Sequence, residues 1–318
     1  MRWLTDPNNE TISENSLTVH LKDRVSLAQK LLEDIKIHAS SGRLRAAGPL
    51  GLEIEGFRPP PAIGDRIAAS DALAEVVAVG PDSARALPLC RTPGLRVGAP
   101  LSLVGPARLA PGPAWLGRVL DPLGAPLDGL GPVPPATARP VLADPPDAGR
   151  RARLGPRIGV GVRALDLFCT LREGQRIGLF AGSGIGKSTL LAMLAGAPGF
   201  DVAVLGLVGE RGRELREFVE DDLGPEGFAR SVVICATSDA PPLLRRDAAM
   251  TAMAVAEHFR DAGKQVLLLV DSLTRSAMAM REIGLAAGTP HGSVALDVLA
   301  PGVGAEHLVA GHLGLEPG

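Results

Sequence analysis

The sequence predicts an α/β protein: mostly parallel strands packed between helices around a phosphate-binding loop, preceded by a small all-β segment and an N-terminal helix. Three observations carry this. From about residue 151, apolar β-type runs alternate with helical stretches. A glycine-rich loop ending in Lys187-Ser188-Thr189 follows one such run and opens a helix. Before them, residues 41 to about 107 consist of short apolar runs divided by Pro- and Gly-bearing turns.

The α/β rhythm is read from strands at Arg176–Ala181, Val202–Val208, Ser231–Ala236 and Val266–Val270, and from helices at Lys187–Leu194, Arg213–Asp222 and Ala248–Ala262. Runs apolar on both faces suit parallel strands buried between helices. In the all-β segment the runs Leu50–Ile54, Leu73–Val79 and Arg96–Leu103 read as a small barrel or sandwich. Between the two, residues 108–150 are dense in proline and glycine and read by composition as a linker. Yet Trp115 to Asp128 is apolar enough to be an ordered, turn-rich crossing.

Residues 1 to about 16 are polar and read as a disordered lead. From Leu17 to Ile37, Leu21, Val25, Ala28, Leu31, Leu32 and Ile35 recur at helical spacing, with Lys22, Asp23, Lys30 and Glu33 between them. This amphipathic helix either docks on the body or offers a partner or membrane-surface contact. The expected organisation is therefore 1–40 as an N-terminal extension, 41–107 as a β domain, 108–288 as the phosphate-binding domain and 289–318 as a tail.

A chain of 318 residues, 46% of them hydrophobic, can bury a sizeable core. The net charge of −2 speaks against a nucleic-acid-coating surface. Cys90, Cys169 and Cys235 fit no metal spacing and read as buried or half-buried thiols in a reducing cytosol. No window reaches the ~18 apolar residues of a membrane span, and the polar start lacks a signal-peptide core. The expectation is a cytoplasmic protein, with any membrane role peripheral.

The sharpest chemical signal is the loop Gly182, Ser183, Gly184, Ile185, Gly186, Lys187, Ser188, Thr189, preceded by Ala181 where the strict pattern has Gly. Its glycines let successive N–H groups turn inward around phosphate oxygens, and the helix behind adds its positive dipole end. Lys187 reaches β- and γ-phosphates, and the Ser188 hydroxyl can ligate Mg²⁺. Asp271 closes the run Val266–Val270, 84 residues after Lys187, at a strand end where open α/β sheets bind ligands; it can hold Mg²⁺ directly or through water. Glu210 also ends a strand, where a carboxylate can orient an attacking water. Arg211 beside it can stabilise charge on the transferring group. Read alone, Glu210 and Arg211 are a helix-starting acid followed by solvated arginines; the other two pieces favour catalysis.

Residues 115–132, 176–196, 205–224 and 231–288 together resemble the export ATPases of bacterial flagella and type III secretion, relatives of the catalytic β subunits of rotary ATP synthases. The stretch Gly209 to Gly224 and Ala236-Thr-Ser-Asp239 carry part of the likeness. The most specific part runs from Asp271 to Gly288, where Ser-Leu-Thr-Arg at 272–275 and Arg-Glu-Ile-Gly at 281–284 separate the export branch from the synthase branch. The resemblance implies a β-barrel, then a RecA-like ATPase core, then a helical domain, assembled as a homohexamer. It implies ATP and Mg²⁺ as cofactors and secreted protein–chaperone complexes as partners. It further implies a regulator or stator protein at the N-terminal helix, no nucleic acid, and a place at the inner membrane face. Lys187 and Ser188 match its loop lysine and metal-side hydroxyl, Glu210 its water-activating glutamate and Asp271 its metal-side aspartate. Arg211 and Arg275 match phosphate-facing arginines.

After Gly288 the likeness stops. Thr289–Gly318 has no Lys, Arg or aromatic residue, and its His291, His307 and His312 have no metal spacing. A shifted reading frame ending early is expected, with a true short paralogue as the second reading. The family draws on an arginine supplied across the subunit interface, and no arginine follows Arg281. Missing strands would leave Leu267 and Leu269 uncovered, an aggregation hazard. The expectation is weak or absent turnover and no active ring. Two further readings are a nucleotide-binding module without turnover and a synthase-type β subunit. A helicase-like termination factor shares the core, but the chain has no basic RNA-binding segment.

Overall fold

The computed structural model describes residues 40–48, 51–69, 72–90, 94–134, 136–144, 147, 149, 152–181 and 185–288, together with the backbone of Leu308–Gly311. The lead, the helix expected over Leu17–Ile37 and the three tail histidines lie outside the described residues.

Alternating apolar residues in the first described segment close on themselves. Strands β1 (Ser41–Gly48), β2 (Gly51–Glu55), β3 (Asp65–Ala69), β4 (Ala72–Val79), β5 (Ser83–Pro88) and β6 (Pro100–Pro106) form a closed barrel in ring order β1-β2-β5-β4-β3-β6. Every pair is antiparallel. The period of two sends Leu52, Ile54, Ile67, Val76, Ala86 and Leu101 into its interior. Of the two all-β readings, the barrel is the one found.

The proline-rich crossing is ordered by its own side chains. Asp121 accepts from the N–H groups of Leu123 and Ala125 at 2.8 and 2.7 Å, a local turn of the kind Asp favours. Asp128 grips Arg118 with both carboxylate oxygens, at 2.7 and 2.9 Å, and the guanidinium holds that carboxyl well below the usual range. Trp115 is buried. Within the crossing, β7 (Arg108–Leu109) pairs with β9 (Arg139–Pro140), while β8 (Arg118–Leu120) becomes an edge of the main sheet.

The remainder alternates as expected. β10 (Arg157–Ile158) and β11 (Leu171–Arg172) flank helix α1 (Arg163–Phe168); then come β12 (Ile177–Leu179), α2 (Lys187–Ala195) and β13 (Val202–Glu210). Helix α3 (Gly212–Glu217) widens into a π-type turn over Phe218–Leu223 and resumes as α4 (Gly224–Ala229). There follow β14 (Ser231–Thr237), α5 (Pro242–Asp261), β15 (Val266–Asp271), α6 (Leu273–Ala287) and β16 (Leu308–Gly311). The sheet runs β12-β16-β15-β13-β14-β8, all parallel.

Both faces of this sheet are covered, which is why its strands read as continuous apolar runs. Val204, Val208, Ile234, Leu268 and Val270 pack on α5 through Ala248, Ala252, Val255 and Phe259. The alternate residues Leu205, Leu207, Val233, Leu267 and Leu269 pack on the opposite face with Leu191 and Leu194 of α2.

Four expectations change. Helix α5 starts six residues early, at Pro242, because proline at a first helical turn loses no hydrogen bond there. Helix α6 was not among the expected helices. Leu267 and Leu269 are 5% and 1% exposed, so neither is uncovered. The reason lies in α2 on that face and in the tail: its Leu308–Gly311 enters the sheet between β12 and β15, in register with Ile177–Leu179 and Leu268–Val270, supplying a strand where none was expected. Cys90 is half-buried and Cys235 buried, but Cys169, at the end of α1, is exposed.

The barrel is fastened to the start of α5 by buried charges. Arg246 reaches both oxygens of Glu75 at 2.7 and 2.8 Å, and Arg66 reaches Asp247 at 3.0 Å. Leu87 and Leu89 pack on Leu243 beside them. Removing one member of a buried ion pair leaves its partner's charge uncompensated and costs about 3–5 kcal/mol. Asp247→Ala should therefore lower unfolding stability by about 3 kcal/mol, read as a fall in the urea midpoint. A loss below about 1 kcal/mol would show that the barrel does not depend on these charges.

Candidate nucleotide site

Three strand ends and two helix starts build the site. Gly186 has φ +92, a left-handed conformation that glycine adopts without strain, and it turns the chain from β12 into α2 at Lys187. The first turn of α2 has neither a side-chain cap nor an acidic residue, so its free N–H groups remain available to an anion. Ser188 and Thr189 are exposed there, and Ile185 is exposed on the loop before them. Gly182, Ser183 and Gly184 lie outside the described residues.

Lys187 Nζ donates to Asp271 Oδ1. Asp271 ends β15 and is buried, so its carboxylate depends on that ammonium for compensation. The Asp271–Ser272 peptide is cis. Ser272 then caps α6, its hydroxyl accepting from the N–H of Arg275 at 3.4 Å. This sets the Arg275 side chain one turn into α6, pointing back at β13.

Arg275 pairs with Glu210 and also donates to the Val208 carbonyl at 3.4 Å. A bulge between Val208 and Glu210 re-aims the strand end. Gly209 makes this bulge workable: its φ is +68, and a Cβ there would lie 3.0 Å from Arg275 Cδ. A side chain at position 209 would push the arginine off the glutamate.

Glu210 is pushed up to about 7, first by burial and then by a carboxyl–carboxyl hydrogen bond with Glu214 and the charge of Asp271; Arg275 opposes the rise. Glu214 moves the other way, held charged mainly by that same hydrogen bond. The field of Asp271 at Glu210 makes the Lys187–Asp271 and Glu210–Arg275 pairs one site. Arg211 stands apart: it is 81% exposed, and its guanidinium lies 3.6 Å from Glu214 on the first turn of α3.

Of the residues expected here, Lys187, Glu210, Asp271 and Arg275 come together. Arg211 makes no described contact with those four. The structure adds Gly209, Glu214 and Ser272. All three stood in the motif runs, but only pairing geometry shows what they do. Among the described residues no cluster of three or more His, Cys, Asp or Glu side chains could hold a metal. One buried carboxylate and one exposed hydroxyl instead fit Mg²⁺, which binds through one or two carboxylates, water and substrate phosphates.

A parallel sheet with an uncapped, glycine-led helix and a lysine facing strand-end carboxylates defines a P-loop nucleotide-binding protein. Residues 161–297 match the ATP synthase alpha/beta family, nucleotide-binding domain. The flagellum-specific ATP synthase of Caulobacter vibrioides is 46% identical over 256 residues, covering 78% of this chain and 58% of that protein. The type 3 secretion system ATPase of Xanthomonas euvesicatoria is 51% identical over 218 residues, covering 68% and 49%. Among solved structures, the assembled ATPase EscN in complex with its central stalk EscO, from the enteropathogenic E. coli type III secretion system, superposes with a TM-score of 0.78. It is 36% identical, covering 85% of this chain and 70% of that one. The chain belongs to the family of flagellar and type III secretion export ATPases. It spans about half to three fifths of the length of these two curated relatives, and the family match runs past Gly288, where the motif likeness stopped.

The raised Glu210 has a consequence for stability. Its folded value of about 7 lies above its ordinary 4.5, so the folded state holds this proton more tightly. That contribution is full below pH 4.5 and is lost as pH rises through 7. Glu210→Gln cannot ionise. The stability of the native chain relative to this variant should fall between pH 5 and pH 8, as measured by paired denaturant melts. A difference that stays level or rises would refute the upward shift.

Proposed function

We propose that the chain binds ATP with Mg²⁺ and hydrolyses it to energise protein export through a flagellar or type III secretion apparatus. The observation that carries this is the convergence of Lys187, Asp271, Glu210 and Arg275 on one end of the parallel sheet. In this reading Lys187 and the free N–H groups of α2 take the β- and γ-phosphates. Asp271 and the Ser188 hydroxyl hold Mg²⁺, which when bound offsets phosphate charge. Glu210 orients a water and accepts its proton as the oxygen attacks the γ-phosphorus and the bond to the β-phosphate oxygen breaks, leaving ADP and phosphate. Arg275 fixes the Glu210 carboxylate from behind, and the exposed Arg211 is free to swing to the transferring group.

The relatives' names support the export role, and the EscN–EscO assembly supports an oligomer with a protein partner. The finer reading is a cytoplasmic homohexamer at the inner membrane face. A regulator or stator protein engages its N-terminal helix, and secreted protein–chaperone complexes are its cargo. Among the described residues no helix is long and apolar enough to cross a membrane.

The test is Glu210→Gln in a version carrying the family's segment after Gly288, measured for phosphate release and nucleotide binding together. The substitution keeps the shape and removes the base, so binding should persist while turnover drops by roughly 10²–10⁴. A drop below about threefold would give Glu210 a structural role.

A further inference from the structure

Glu210 can serve a second cycle only if the proton it takes from water leaves it. Its neighbours narrow the way out. Arg275 holds one side of the carboxyl, and a guanidinium has no acceptor. Burial pushes the Cys235 thiol on β14 up to about 12, so it keeps its own proton. Asp271 is buried and already takes Lys187. Glu214, on the first turn of α3, remains. It shares a hydrogen bond with Glu210 and is held charged mainly by that bond, ready to accept. Its side chain is 46% exposed against 16% for Glu210, so the pair runs from the buried site to water. The Arg211 N–H at 3.5 Å and the Arg211 guanidinium at 3.6 Å fix the Glu214 carboxylate at that opening.

We infer that Glu214, acting through Glu210, is the proton exit of the site: it takes the proton that Glu210 has drawn from the attacking water and releases it to solvent. The inference rests on the proposed reading of Glu210 as the base and adds the step that resets it. An O–H bond of water breaks as Glu210 gains the proton. The Glu210 O–H then breaks as a Glu214 O–H forms, and that proton passes to bulk water. Glu214 is the stronger acid of the two, so it gives the proton up readily and Glu210 is left ionised.

The experiment has two arms. In the version carrying the family's segment after Gly288, phosphate release is measured across neutral pH, in dilute buffer and with added imidazole, a small proton carrier. Glu214→Gln keeps the shape and cannot accept a proton. Its turnover in dilute buffer should fall by at least about tenfold, less than the ~10²–10⁴ of a lost base, and imidazole should restore most of it. The acid limb of its pH profile should move to lower pH, because the neighbouring charge that holds the proton on Glu210 is gone. The second arm needs no turnover and uses the full chain. The infrared carboxyl stretch of Glu210, picked out by its loss in Glu210→Gln, should vanish at lower pH in Glu214→Gln than in the native chain. Full turnover of Glu214→Gln in dilute buffer overturns the inference. So does a loss that imidazole leaves in place, or a Glu210 titration that stays level or moves up. A native version that releases no phosphate defeats the reading of Glu210 as base, and the inference with it.

Discussion

A carboxylate held out of water at the end of a buried strand must have a positive partner, and at Asp271 that demand organises the molecule's working edge. The strand reaches this point because Val266 to Val270 are buried on both sides, between α5 and α2. The charge it delivers meets the lysine at the start of α2. A parallel sheet gathers its carbonyl ends and its helix starts at one edge, so the fold itself brings buried acid and loop cation together. The same field acts on Glu210, where burial and the neighbouring acids hold the carboxyl near neutrality.

The second requirement is that these ends stay aligned. Gly209 admits the bulge and leaves room for Arg275; Ser272 starts the helix that carries Arg275. The barrel contributes at the start of α5. Its Arg66 and Glu75 enclose Asp247 and Arg246 at the start of α5, the helix that covers one face of the central strands. Such pairs define how two pieces pack more than they add to net stability, because taking charges out of water offsets much of their attraction.

Much of this was legible in the sequence, for reasons that differ by element. Strands β13, β14 and β15 announce themselves because burial on both faces leaves uninterrupted apolar runs. The loop to Lys187 is legible because phosphate binding demands glycine at set places, and Glu210 and Asp271 because they end apolar runs. Other features depend on partners distant in sequence. The glycine bulge takes its meaning from Arg275, 66 positions on. Asp247 is a buried charge held between its neighbour Arg246 and the barrel's Arg66, a partner the local sequence does not show. Strand β16 is a four-residue Leu-Val-Ala-Gly run in an Ala- and Gly-rich tail, and only its place between β12 and β15 makes it a strand. Arg211, adjacent to Glu210 in sequence, lies on the surface beside Glu214, because the strand ends there and a helix begins.

The central claim is that Lys187 serves a nucleotide's phosphates once it leaves Asp271. The direct measurement is calorimetric titration of Mg-ATP into the native chain and into Lys187→Ala. The account predicts saturable binding by the native chain and none by the variant, with the variant's circular dichroism unchanged. Equal affinity in both would contradict it.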